Sequence, residues 1–419
     1  MRLRRHPWAV SLAVTVAVLV VVELGFRVLG VPPFHPEDLL CELDAYRLVR
    51  TRAGLRLHGA PWNVAITTNR LGFRGRETTV AKPAGVFRVV ALGDSSTFGV
   101  CVGDDETFCA MAEGLANSDA RSGRRVEVIN AGVIGYNTMQ GLRALERVIL
   151  PLRPDCVVVS FAVNDSAEGG QLRNYLGRHR PELEEFPPAV VTIRNVLWNH
   201  SAVCRWLLRD VFAGQAYLDR LREAGVKAGW KPGSSEEYRA NLEEIVRVAH
   251  AHGAEVVFMP MPVRLKHTMF PLYEINYVIL NRRDGRKALV YMDGVIAKTA
   301  DPHERSAMWL AVARLREGMG DARGALDAYL TAMSLSDLFR DLRWGAYSYD
   351  NLMADLAGRL GVPLVNVLPA FYRRELSDNP PALYADGYHP GTLGHRIIAE
   401  ALAATIRDLA LRPKRRQGL

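Results

Sequence analysis

Five short runs of the chain are almost continuously apolar and rich in β-branched residues: Phe87 to Leu92, Val126 to Ile129, Cys156 to Phe161, Glu255 to Met259 and Leu364 to Leu368. A strand buried on both faces has this pattern, whereas a half-exposed strand alternates. Segments with helical spacing separate them, among them Thr107 to Leu115, Met139 to Leu150, Glu236 to Ala251 and Gly394 to Leu409. The third opens on Ser234-Ser235-Glu236-Glu237, where Ser234 and Glu237 can form a capping box. Such alternation predicts an α/β fold, a parallel sheet with helices on both faces. Ligands bind these sheets beyond the carboxyl ends of the strands, so the residues that follow each strand are the ones to inspect.

The pattern changes at the amino terminus. Trp8 to Val22 carries no charge over fifteen residues and follows Arg2, Arg4, Arg5 and His6. Continued to Leu29, the helix admits the i,i+4 pair Glu23 and Arg27 and reaches roughly 33 Å, enough for a hydrocarbon core of ~30 Å. No small-x-small cleavage site follows, so an uncleaved anchor is expected ahead of a cleaved signal peptide or a buried core helix. The positive-inside rule then keeps the arginines cytoplasmic and exports the rest.

The remaining irregular stretches set the expected organisation. Residues 31–85, with Pro32-Pro33, Pro36, Pro61 and Pro83, read as a stalk and packing segment after an anchor at 1–30. The main folded domain is expected over 86–410, with insertions at about 166–233 and 263–350, and a basic tail at 411–419. The first insertion mixes Pro187-Pro188, Trp198, Trp206 and Trp230 with arginines, like a lid. Within the second, 308–335 reads as a helical hairpin turning at Gly318-Met319-Gly320-Asp321 and resembles one tetratricopeptide unit. A single copy is expected to decorate the fold, with a protein partner at 308–335 as the alternative.

Charge changes the picture less than its total suggests. Of the net +8, seven positive charges lie at Arg2, Arg4, Arg5, Arg412, Lys414, Arg415 and Arg416, leaving no basic face between, so nucleic-acid binding is excluded. Cys41, Cys101, Cys109, Cys156 and Cys204 contain no C-x-x-C pair. They are expected as buried thiols, with a Cys101–Cys109 bridge as the alternative in an oxidising compartment.

The chemistry gathers in four blocks. After the first strand comes Leu92-Gly93-Asp94-Ser95-Ser96-Thr97-Phe98-Gly99, where a serine at a strand-to-helix turn can present its hydroxyl beside its own backbone N–H. The second is the glycine-rich Asn130-Ala131-Gly132-Val133-Ile134-Gly135-Tyr136-Asn137-Thr138, and the third, Ala162-Val163-Asn164-Asp165, puts a carboxamide at the same rim. The fourth is Asp386-Gly387-Tyr388-His389-Pro390, before Gly394-His395 and the last helix.

In this order the blocks resemble the SGNH/GDSL hydrolase (esterase/lipase) superfamily. Thr68-Asn69-Arg70-Leu71-Gly72-Phe73-Arg74-Gly75 upstream is similar to its bacterial membrane-anchored subgroup. The resemblance implies a flavodoxin-like three-layer α/β/α sandwich, here with helical insertions and an N-terminal transmembrane helix. It implies Ser95 as nucleophile, His389 as base and then acid, and Asp386 as the carboxylate orienting His389. It also implies an oxyanion hole from the Ser95 N–H, the Gly135 N–H and the Asn164 side chain, with Gly132 the competing choice in its block. Ala162 replaces the glycine usual two residues before the asparagine. No cofactor or metal is implied.

Other residues in these blocks have plainer readings. Asp94 is expected as a turn and cap residue, Asp165 as a structural link between loops, His395 as a residue that packs or caps the final helix and Asp104-Asp105-Glu106 as charge at a helix start. His250 and His252 face different directions on a helix, so no metal site is expected there.

The expected function is an exported, membrane-anchored serine esterase acting on acyl esters, short-chain or carbohydrate O-acetyl. It is held in the bacterial inner membrane by one pass, with its catalytic domain periplasmic or otherwise extracytoplasmic. The alternatives are an O-acyltransferase acting on envelope polysaccharide, and a non-catalytic envelope scaffold with a vestigial hydrolase core.

Overall fold

A computed structural model describes the chain except for residues 1–6, 31–38, 59–63, 119–123, 214, 231–233, 264–284, 301–304, 306–307, 310–311, 314, 317–318, 336–341, 378–380, 387–388 and 413–419. The terminal arginines beyond Arg412, those before Pro7, most of the expected stalk prolines and the Gly387-Tyr388 pair of the fourth block lie outside the described residues. The sheet strands are β1 (Val86–Gly93), β2 (Arg125–Asn130), β3 (Cys156–Ser160) and β4 (Glu255–Phe258). Among the helices are α1 (Pro7–Val28), α2 (Phe108–Asn117), α3 (Thr138–Ala144), α4 (Glu168–His179), α5 (Pro188–His200), α6 (Ala202–Ala213), α7 (Gln215–Lys227), α8 (Glu236–Ala251), α9 (Ala322–Ser334), α10 (Leu342–Leu360), α11 (Leu368–Ser377) and α12 (Thr392–Leu411).

The chain divides into two units. One contains Met1–Arg50 and His179–Trp230, the other Thr51–Arg178 and Lys231–Leu419. Thr51–Gly85, expected as part of a stalk, therefore belongs with the catalytic unit, and most of the first insertion belongs with the amino-terminal segment.

In the catalytic unit the strands run parallel in the order β2-β1-β3-β4. The central β1 and β3 are buried on both faces, which explains their unbroken apolar runs. Phe87, Val89, Ala91, Val126, Val128, Cys156, Val158 and Val257 join one cluster with Phe108 and Ala112 of α2 and Ile398, Leu402 and Ile406 of α12. The alternate residues Val90, Leu92, Val157 and Val159 are equally buried and project to the opposite face. On that side α8 contributes Leu242 and Ile245 and packs against α3 and β4.

The fifth expected strand is reduced to one parallel bridge, Phe258 with Leu364. Phe258 N donates to Pro363 O and Val365 N to Phe258 O, after which Asn366 Oδ1 accepts the Leu368 amide and the chain turns into α11. The helix expected over Met139–Leu150 changes to a wider turn at Leu145–Ile149 and a tight one at Leu150–Leu152, where Pro151 cannot continue it. At α8, Ser234 Oγ accepts the Glu236 amide and donates to Glu237 Oε2, replacing the expected capping box. The hairpin is described in part: Val312, Ala313 and Leu315, with Ala325, Ala328, Tyr329 and Ala332 of α9, belong to the core cluster, so its apolar face is covered within this unit.

Candidate active site

The turn that carries Ser95 is set by close packing. A Cβ on Gly93 would lie 2.6 Å from Ser160 O of the neighbouring strand, and one on Gly132 would lie 2.3 Å from the Phe98 amide nitrogen. Only glycine lets these backbones approach, which brings the second-block loop against the turn that carries Ser95. Asp94 caps this turn by accepting the Ser96 amide at 2.9 Å, as a cap residue should. Burial raises the Asp94 carboxyl above the ordinary carboxylate range, against the opposing effects of the Ser96 amide and His389.

Arg74 holds the turn from behind, and this role was not legible in its motif. Its guanidinium is 1% exposed and donates to Gly99 O at 3.0 Å and Val102 O at 2.8 Å, with Asp104 at 2.6 Å as its ionic partner. The guanidinium also lies 4.8 Å from the centre of the Phe98 ring. Asp104 further accepts the Thr67 amide and hydroxyl, so it serves Arg74 and Thr67; the cap of α2 is Thr107, which accepts the Ala110 amide.

The fourth block closes the site. Asp386 Oδ1 accepts the His389 amide at 2.8 Å, and Asp386 Oδ2 lies 2.7 Å from His389 Nδ1. One carboxylate thus fixes both the backbone and the ring. With the proton on Nδ1 donated to Asp386, Nε2 accepts from Ser95 Oγ at 2.8 Å. Ser95, His389 and Asp386 are therefore joined by hydrogen bonds although the serine and histidine are 294 positions apart.

The third and second blocks meet beside them. Asn164 Nδ2 donates to Tyr136 O at 2.9 Å, which uses one of its two N–H groups. Gly132 donates its amide to Asn130 Oδ1 at 3.1 Å, while Gly135 has φ +77° and open space around its α-carbon. Between the competing glycines, the Gly132 amide is engaged inside the fold. Asp165 links the loops as expected: its Oδ1 accepts from the Thr138 amide at 2.9 Å, the Thr138 hydroxyl at 2.6 Å and Asn174 Nδ2 at 2.8 Å. Burial pushes its carboxyl up to about 6 despite these donors. Tyr238 of α8 donates to Phe161 O at 2.8 Å and so holds the exit of β3.

His395 packs as expected, but the helix it caps is α2, where the final helix was expected. It stacks on Phe108, and its Nδ1 accepts the Phe108 amide at 3.1 Å, which starts α2. Burial lowers its pKa to about 3, so the ring is neutral and an acceptor. The five cysteines are unbridged thiols; Cys109 and Cys156 are buried, whereas Cys41, Cys101 and Cys204 are half-buried, so neither full burial nor the Cys101–Cys109 bridge is seen. Cys101 Sγ, Asp386 and His389 have ligand-type atoms within 4.8 Å of one another. Both ring nitrogens of His389 are already engaged.

A sequence profile of the GDSL-like lipase/acylhydrolase family matches residues 91–397, most of the chain and all four blocks. The chain belongs to the GDSL-like lipase/acylhydrolase family. It is accordingly an ester-hydrolysing enzyme, and the hydroxyl, imidazole and carboxylate just described lie within the matched region. A comparison with curated proteins returns no match. Similar solved structures include the acetylxylan esterase of Geobacillus stearothermophilus, at 14% identity over 76% of this chain and 93% of that one, with a TM-score of 0.37. A lipase/acylhydrolase from Enterococcus faecalis is 15% identical over 78% of this chain and 98% of its own, with a TM-score of 0.36. An α/β hydrolase enzyme from the metagenome of Lake Arreo is 17% identical over 78% and 96%, with a TM-score of 0.37.

Proposed function

We propose that this GDSL-family enzyme is a membrane-anchored, exported serine esterase in which Ser95, His389 and Asp386 form the catalytic triad. The observation that carries the reading is the unbroken chain of hydrogen bonds from Ser95 Oγ through both nitrogens of His389 to Asp386. In the first step His389 Nε2 takes the Ser95 proton as Oγ bonds to the ester carbonyl carbon. Negative charge then develops on the carbonyl oxygen, where the amides of Ser95 and Gly135 and the second N–H of Asn164 stabilise it. The intermediate collapses as His389 returns the proton to the departing alcohol, leaving an acyl-Ser95 ester. Water gives a proton to the same Nε2 as it attacks that ester, and the proton passes to Ser95 Oγ as the acid is released.

A short acyl chain on a carbohydrate is the proposed substrate. The side chain of Asp386 is 47% exposed and that of His389 21%, so the reacting groups lie at an open rim that a bulky alcohol portion can reach. The location rests on α1, whose Trp8–Val28 span has a mean hydropathy of 2.4 with none of its window buried. Transfer of the acyl group to a sugar hydroxyl would follow the same path with that hydroxyl replacing water.

The test is labelling of the full-length protein with a fluorophosphonate probe, alongside turnover of short and long p-nitrophenyl esters and acetylated glycans. Labelling lost in Ser95→Ala and His389→Ala, with faster turnover of short chains, is expected. A folded protein that never labels overturns the triad; preference for long chains overturns the substrate class; acylated glycan formed when an acceptor is added replaces hydrolysis by transfer.

A further inference from the structure

The unit formed by Met1–Arg50 and His179–Trp230 contains an unusual joint. The Glu23 carboxylate, near the end of α1, accepts the Ala202 amide at 2.8 Å, the Val203 amide at 3.1 Å and the Ser201 hydroxyl at 2.8 Å. It therefore caps the start of α6 from a helix almost 180 residues away in the chain. Arg27 donates to Glu23 at 2.7 Å and to the His200 carbonyl at the end of α5. The ring of Phe26 meets that of Trp206 edge-on at 5.8 Å. The junction of α5 and α6 is thus tied to the last turns of α1.

The outer surface beside this joint is apolar. On α5, Val191, Asn195 and Trp198 are buried, while Val190, Ile193, Val196 and Leu197 form a stripe on the opposite side, from 40% to 61% exposed. Trp206 and Leu207 of α6 are more than half exposed. A soluble surface does not normally gather such residues at helical spacing.

Length identifies the occupant. The uncharged part of α1, Pro7 to Val22, rises only about 24 Å, while a hydrocarbon core is ~30 Å thick. A spanning α1 therefore places Glu23 and the bonded start of α6 at the hydrocarbon edge. The carboxylate there is satisfied by three donors besides Arg27, as a charge at that depth requires. From this geometry we infer that α5 and α6 lie in the lipid interface on the Val28 side of the bilayer, with Val190, Ile193, Val196, Leu197 and Leu207 in contact with lipid. The insertion is then a membrane-seated collar around the anchor. This rests on α1 spanning the membrane, as proposed above.

The test places the photo-crosslinker p-benzoylphenylalanine singly at Ile193, Val196, Leu207 or, as a control, the exposed Glu185, in the full-length chain in phosphatidylethanolamine and phosphatidylglycerol vesicles. Lipid-mass adducts several-fold more abundant at the first three positions than at Glu185 are expected. A carbonate wash is run in parallel. Protein retained by the membrane but without preferential lipid adducts overturns the collar and leaves the anchor intact. Protein released by carbonate overturns the anchor and the collar with it. Crosslinks to a second copy or another protein at these positions assign the stripe to that partner and overturn the lipid contact.

Discussion

The Ser95 turn and the His389 loop reach the proposed reaction centre by opposite means. Asp94, Ser96 and Thr97 around Ser95 are at most 4% exposed, and the turn is locked by glycine contacts, the Asn130 carboxamide and the Arg74 guanidinium. At His389 the side chain is partly exposed, and the ring is placed by Asp386, a carboxylate that is itself half-exposed. Packing holds Ser95, while a local hydrogen-bonded pair holds His389. Damage to the packing around Ser95 should therefore lower stability together with activity, and loss of the pairing at His389 should lower activity alone.

The largest effect tests whether both sides are needed. Ser95→Ala or His389→Ala should each reduce kcat by about 10⁶-fold with the thermal midpoint nearly unchanged, since each removes a reacting group and leaves the fold's contacts in place. A residual rate within tenfold of the parent would end the triad assignment. Asp386→Asn should reduce kcat by roughly 10⁴-fold, because the carboxamide no longer holds the Nδ1–H tautomer. Its unfolding midpoint should match the parent, since an exposed pair adds little stability; a marked fall would mean the loop is held by packing after all. Asn164→Ala should cost about 10²–10³ in kcat, a loss expected from removal of an oxyanion donor. An unchanged kcat would assign the carboxamide to the Tyr136 contact alone.

Two smaller effects address the buried side. Gly132→Ala should destabilise the protein by about 1–3 kcal/mol in chemical denaturation, since its Cβ would be driven into the Phe98 backbone. It should also lower activity by displacing Ser95, which no change at Asp386 would do through stability. Asp165 sharpens the point through pH. Its folded carboxyl, at about 6, lies above the ordinary 3.8, so the stability linked to its proton is complete below pH 3.8 and is lost as pH rises through 6. Asp165→Asn cannot ionise and should gain thermal midpoint relative to the parent between pH 4 and pH 7. A constant difference across that range would show that burial does not govern this carboxyl.

Much of the site was legible because its chemistry is carried in short blocks. Ser95 follows a strand, Asp386 stands three residues before His389, and Asn164 follows the third strand, so local spacing exposed the groups that the proposed mechanism uses. Four of five strands were equally clear, since two-sided burial leaves an unbroken apolar run. Leu364–Leu368 misled because Asn366 and Leu368 begin a helix cap inside an apolar run, and one residue of pairing is all the edge retains. The Thr68–Gly75 motif was visible, but its use was not: Arg74 meets carbonyls 25 and 28 positions away, and nothing in its neighbours specifies that destination.

What the sequence by itself determined is the set of short-range commitments: which runs are strands, which turn carries the hydroxyl, which carboxylate accompanies the imidazole, and that one amino-terminal helix is apolar enough to cross a bilayer. Tertiary structure decided which of these meet. The order β2-β1-β3-β4, the docking of His389 on Ser95, the Arg74 brace and the Glu23 cap on α6 all join residues far apart in the chain. Periodicity and spacing report only what neighbours along the backbone can do, whereas these contacts arise when separate elements bury their apolar faces and the remaining polar groups must find partners.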